Sequence, residues 1–166
     1  MRVLLLLLVF ALTITDAKEG RTQYTPDGFN GYPWGTSFQS MDSLTLGTPE
    51  APSESGAAGI LWFKSRINAV GDCAVDSVKM SFLDGDLSSI LASGRGPDLF
   101  RCLYGMMTST WGKPARPNAD SEMYRFETPQ TEGWLIYSHE KGLVVVTLHE
   151  ATASEFRRYA KRRAAR

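Results

Sequence analysis

The sequence predicts an α+β fold: an antiparallel sheet with its helices on one face, in a tandem αβββ order. Three observations carry this. First, Asp76 to Leu83 alternates, with Val78, Met80 and Phe82 on one side and Ser77, Lys79 and Ser81 on the other. The Asp84-Gly85 pair that follows is a hairpin signal, with Leu87 to Ala92 as the return strand. Second, Phe100, Leu103, Tyr104, Met107 and Trp111 recur at helical spacing and form one apolar stripe. Third, Met123 to Glu127, Gly133 to Ser138 and Leu143 to His149 read as three further strands, the last with Lys141-Gly142 in the tight turn before it.

From the beginning of the chain, residues 1–17 have the order of a secretory signal peptide. Met1-Arg2 is the positive start and Val3 to Leu12 is an unbroken apolar run. Thr15 and Ala17 then occupy the −3 and −1 places of a cleavage site. The run falls short of the roughly 20 apolar residues a membrane span needs. An uncleaved anchor is the alternative. Export predicts a periplasmic or secreted protein with a mature chain starting at Lys18.

Lys18 to Asn30 is polar and rich in turn formers, an extended lead before a domain over residues 31–154. Thr36 or Ser37 can cap a short helix reaching about Leu44. Gly47 to Gly59 has a surface-loop composition, and Ile60 to Arg66 reads as a strand. Gly96-Pro97-Asp98 opens the striped helix, and Gly112 with Pro114 ends it. Leu143 to Leu148 is apolar on both faces and belongs inside the sheet or under a helix. Ala151 to Arg166 reads as a closing helix with Phe156, Tyr159 and Ala160 on one side.

The 18 basic and 18 acidic residues cancel, but unevenly. Residues 155–166 hold six basic side chains and one acidic, net +5, whereas residues 18–154 are net −5. Arg157, Arg158, Lys161, Arg162 and Arg163 are the core of this basic helix or tail. An anionic membrane surface or an acidic protein patch could meet it, and a solvated helix face is the alternative. Export makes nucleic acid an unexpected partner.

Cys73 and Cys102 are the two cysteines. In an oxidising compartment such a pair is expected to bond, closing a loop of about thirty residues worth about 3 kcal/mol. Two free thiols are the alternative. Cys102 lies about 200° round the helix from Phe100, so the bridge would tie the helix's outer face to the Gly71-Asp72-Cys73 loop rather than staple the core.

The chemistry search yields little. No serine sits in a nucleophile elbow. His139 and His149 lie too far apart along one hairpin to share an ion, and no metal or cofactor is expected. Asp84 and Asp86 lack the further acids of a calcium loop. Ser93-Gly94-Arg95-Gly96 is the nearest approach to a phosphate loop, but Pro97 removes a donor. Tyr32 and Trp34 are candidate binding aromatics, with a plug for the open end of the sheet as the competing role.

Phe29-Asn30-Gly31-Tyr32-Pro33-Trp34-Gly35-Thr36-Ser37, Phe82-Leu83-Asp84-Gly85-Asp86-Leu87, and Leu103-Tyr104-Gly105 with Trp111-Gly112-Lys113-Pro114 together resemble motifs of uncharacterised exported bacterial proteins. Tandem αβββ order is also similar to the β-lactamase inhibitor protein and to small outer-membrane assembly lipoproteins, non-enzymatic binders of other proteins. The resemblance implies a binding or accessory protein of the bacterial envelope whose partner is another envelope protein. The competing expectations are a hydrolase-type enzyme with a site assembled from distant residues, and a peripheral binder of anionic surfaces acting through the basic tail.

Overall fold

A computed structural model of the protein describes residues 27–50, 60–115 and 122–152. The expected signal peptide over residues 1–17, most of the expected lead and the basic segment 155–166 lie outside the described residues. Two short strands, β1 (Gly28–Phe29) and β2 (Tyr32–Pro33), pair with each other. Phe29 is fully buried, so the last residues of the lead belong to the core. The expected single helix after Ser37 is two pieces. Ser37 caps a 3-10 turn at Phe38–Ser40, and Asp42 caps α1 (Ser43–Leu46). Asp42 wins the second start because its Oδ1 accepts from the N–H groups of both Leu44 and Thr45, at 2.9 Å each.

Strands β3 (Thr48–Pro49) and β4 (Ile60–Lys64) follow, then the small hairpin β5 (Ala69–Val70) with β6 (Cys73–Ala74). The two long strands β7 (Ser77–Leu83) and β8 (Asp86–Arg95) turn at Asp84-Gly85, both with positive φ, 53° and 95°. That geometry suits the twist of a two-residue hairpin and favours glycine at the second place. Helix α2 (Pro97–Trp111) leads to β9 (Met123–Glu127), β10 (Thr131–Ser138) and β11 (Leu143–Glu150).

Seven strands form one antiparallel sheet in the order β3-β4-β7-β8-β11-β10-β9. Two three-stranded meanders, β4-β7-β8 and β9-β10-β11, thus meet along β8 and β11. The doubly apolar β11 is an interior strand, as its composition required.

Register and strand alternation assign the two faces. On one face stand Phe63, Val78, Met80, Phe82, Ile90, Ala92, Val144, Val146, Leu148, Leu135 and Phe126. Helix α2 packs here, with Leu103 and Met107 buried and Phe100, Tyr104 and Trp111 flanking them half-buried. Glycines admit it: a Cβ on Gly133 would meet Trp111 and Met107 at 2.9 and 3.3 Å, and one on Gly94 would collide with Leu99. Phe38 covers the other half of this face, stacked on Phe63 at 5.8 Å and set edge-on to Phe82 at 5.9 Å.

Cys73 and Cys102 are bonded, with Cα atoms 5.9 Å apart. Cys102 is on the exposed side of α2, as its place round the helix required, but Cys73 is a buried residue of β6 rather than of an outer loop. The bridge therefore pins α2 to the β5–β6 hairpin and reaches into the core.

Candidate functional site

The structure gives Trp34 and Tyr32 structural duties. The Trp34 indole N–H donates to Thr131 Oγ1 at 2.7 Å, and its ring packs on the core. Around it the chain is stitched to the sheet: Gly35 N–H donates to Leu87 O and Leu87 N–H to Thr36 O, both at 2.9 Å. Trp34 thus plugs the sheet end. The Tyr32 hydroxyl donates to Asp42 Oδ2 at 2.7 Å and accepts from the Asp42 N–H at 3.1 Å. Hydrogen bonds from the Thr45 backbone, the Thr45 hydroxyl and Tyr32 hold the Asp42 carboxyl down at about 2. The Asp42 N–H bond favours the Tyr32 phenolate, but the carboxylate hydrogen bond, burial and the Asp42 charge outweigh it and raise the phenol. Arg157, Arg158, Lys161, Arg162 and Arg163 lie outside the described residues.

The sheet's second face is the larger feature. Its side chains form rows that run across the strands. One row, from β4 to β9, is Trp62, Ser81, Ser89, His149, Glu132 and Glu127. The next is Lys64, Lys79, Leu91, Thr147, Trp134 and Arg125. A third is Ser77, Ser93, Val145, Ile136 and Met123. Trp62, Leu91, Val145, Ile136, Trp134 and Met123 are all half-buried. Helix α2 and the Phe38 turn both lie on the opposite face.

Polar groups on this face are organised. Glu132, only 5 % exposed, accepts at Oε1 from Arg125 Nε at 3.0 Å and from the Trp134 indole at 3.2 Å. Arg125 also reaches Glu127 at 3.2 Å and lies 5.7 Å from the centre of the Trp134 ring. A β-bulge between Ser81 and Phe82 brings Ser88 beside Ser81, so that the Ser81 hydroxyl bonds the hydroxyls of both Ser88 and Ser89. Lys79 pairs with Glu50 at 2.8 Å.

Glu132, His149 and Ser89 face one another on three adjacent strands. An acid, an imidazole and a hydroxyl in a line are the raw material of nucleophilic catalysis. Sequence reading missed the line because its members are brought together by strand pairing alone. Here the Glu132 carboxylate is committed to Arg125 and Trp134, and Ser89 is 1 % exposed with its hydroxyl held by Ser81. His139 stands apart in the turn after β10, 70 % exposed, 3.4 Å from Glu122 and against the Tyr137 ring.

Among the described residues, no three His, Cys, Asp or Glu side chains are grouped to hold a metal ion. The Ser93-Gly94-Arg95 stretch is strand, not an anion loop, with Gly94 closed by Leu99. No described helix is long and apolar enough to cross a membrane. Compared with protein-family models, curated proteins and solved structures, the chain matches none.

Proposed function

We propose that this is an exported, non-catalytic binding protein of the bacterial envelope, and that it docks another envelope protein on the sheet face opposite α2. One observation carries the reading: Trp62, Leu91, Val145, Ile136 and Trp134 stand half-exposed together on that face. Half-exposed apolar side chains with indole rings, gathered on one face among polar groups, have the composition of an interface. Lys64 and Arg95, both exposed, sit at its rim on β4 and at the end of β8. The matching partner carries an apolar patch flanked by carboxylates. Export rests on residues 1–17, and the Cys73–Cys102 bridge is consistent with an oxidising compartment. The resemblance to uncharacterised exported proteins and the tandem αβββ order belong to the same proposal; the two meanders joined along β8 and β11 support the latter.

The competing hydrolase reading has the Glu132, His149 and Ser89 row behind it. A hydroxyl that is buried and already bonded offers no approach to an acyl carbon, so the binding reading is preferred. The test compares mature protein with its Trp62→Ala/Trp134→Ala variant as bait in an envelope extract. A protein captured by the first and lost from the second supports the proposal. Capture unaffected by the double substitution contradicts it.

A further inference from the structure

The Cys73–Cys102 bond has two unlike ends. Cys73 is 2 % exposed, inside the core, whereas Cys102 stands exposed on the outer side of α2. The helix beside Cys102 is bare. Gly105 follows it by three residues and so lies next to it on the helix surface. A Cβ on Gly105 would meet nothing within 4 Å. Glycine inside a helix costs about 1 kcal/mol relative to alanine. Gly105 has neither a positive φ nor a close neighbour to call for it. What it provides is an open approach to Cys102.

The other end of the bond holds a small element. Strands β5 and β6 have two residues each and pair with each other, outside the seven-stranded sheet. A two-stranded hairpin is marginal on its own. Backbone ties to the sheet come at its ends, from Ser65 N–H to Val78 O and from Asp76 N–H to Ser93 O, both at 2.9 Å. Val70 and Cys73 carry the hairpin into the core, and the bond fastens Cys73 to α2.

We infer that Cys102 is the exchange site for a dithiol oxidoreductase, and that the β5–β6 hairpin is the element this exchange releases and refastens. A thiolate of the oxidoreductase attacks Cys102 Sγ, the sulfur that access favours. The Cys73–Cys102 bond breaks, Cys73 leaves as a thiolate and takes up a proton, and a mixed disulfide forms on Cys102. The second thiolate of the oxidoreductase then attacks its own sulfur of that mixed disulfide. Cys102 leaves and takes up a proton. Two electrons have passed to the bridge, and the oxidoreductase has become a disulfide. Run backwards, the same steps fasten the hairpin. The bridge is then a redox latch between α2 and the hairpin rather than a fixed staple.

The test needs no docking partner, so its outcome is independent of the binding reading. Oxidised mature protein is mixed with thioredoxin whose second active-site cysteine is changed to serine, which stops the reaction at the mixed disulfide. Peptide mass spectrometry should place the adduct on Cys102; an adduct on Cys73, or none, overturns the inference. With intact thioredoxin, Gly105→Leu should slow reduction by about fivefold or more by closing the approach, although leucine is the better helix former. An unchanged rate overturns the inference as well. Hydrogen exchange of the unaltered chain after reduction with a phosphine reads the release. Amides of residues 67–75 should exchange about tenfold or more faster while those of β8 and β11 keep their protection. An unchanged hairpin, or protection lost across the whole sheet, contradicts the latch.

Discussion

The two faces of the sheet use the same strands and similar residues, yet they end differently. Val146 and Leu148 are buried to 1 and 0 % on one face of β11, while Val145 on the other face is half-exposed. The difference is what lies above. On the α2 face, Phe82, Met80 and Leu135 meet aromatic and aliphatic side chains that close over them. On the other face the apolar residues are interrupted by Ser81, Ser89, Lys79 and Arg125, polar groups that must stay wet or find partners. One face holds the fold, and the other is the face to which the proposal assigns a partner.

This contrast predicts a gradient of mutational cost. Met107→Ala at the centre of the covered face should cost about 2–5 kcal/mol in denaturant melts. Phe100→Ala, half-exposed at the helix edge, should cost less than Met107→Ala. Equal costs would mean that the stripe's rim is as closed as its centre. Next, Cys73→Ser with Cys102→Ser should cost about 3–4 kcal/mol through the 29-residue separation it frees. A loss under about 1 kcal/mol would show that core contacts alone pin α2 to β6.

A smaller effect is expected where the N-terminal segment is tied down. Asp42→Ala removes the α1 cap and should cost about 0.5–2 kcal/mol near neutral pH. Because the folded carboxyl titrates at about 2, below its unfolded value of 3.8, its contribution is full above about pH 4. It is lost as pH falls toward 2, so wild type and Asp42→Ala should converge in acid. A gap that persists at pH 2 would assign the loss to packing rather than to the carboxylate. The smallest cost belongs to the open face. Val145→Ser should change stability by less than about 1 kcal/mol while weakening partner capture. His149→Ala should leave capture near normal, and an activity abolished by that substitution in a folded protein would restore the enzyme reading.

Local signals were legible in the sequence wherever chemistry is local. The alternation of Val78, Met80 and Phe82, the Asp84-Gly85 turn, and Pro97 and Gly112 at the ends of α2 all act over a few residues. The Cys73–Cys102 bond followed from the pair's isolation. What was hidden depends on distant pairing. The burial of Phe29 comes with the pairing of β1 and β2, and the break between the 3-10 turn and α1 follows from Asp42 capping a second start after Ser37. The β5–β6 hairpin is only two residues a side, too short to show a period. The candidate site was the least legible part. Leu91, Val145 and Trp134 come together only because β8 pairs with β11, more than fifty residues later in the chain. No linear motif records that face.

The central claim is that the face opposite α2 is where this protein meets its partner, and site-specific photo-crosslinking tests it most directly. A photoreactive side chain is placed at Leu91 on the open face and, separately, at the exposed Ser109 on the outer side of α2. Each full mature protein is irradiated in the envelope. A discrete protein adduct from position 91 and none from position 109 is the predicted result. The reverse pattern, or the same adducts from both positions, would contradict it.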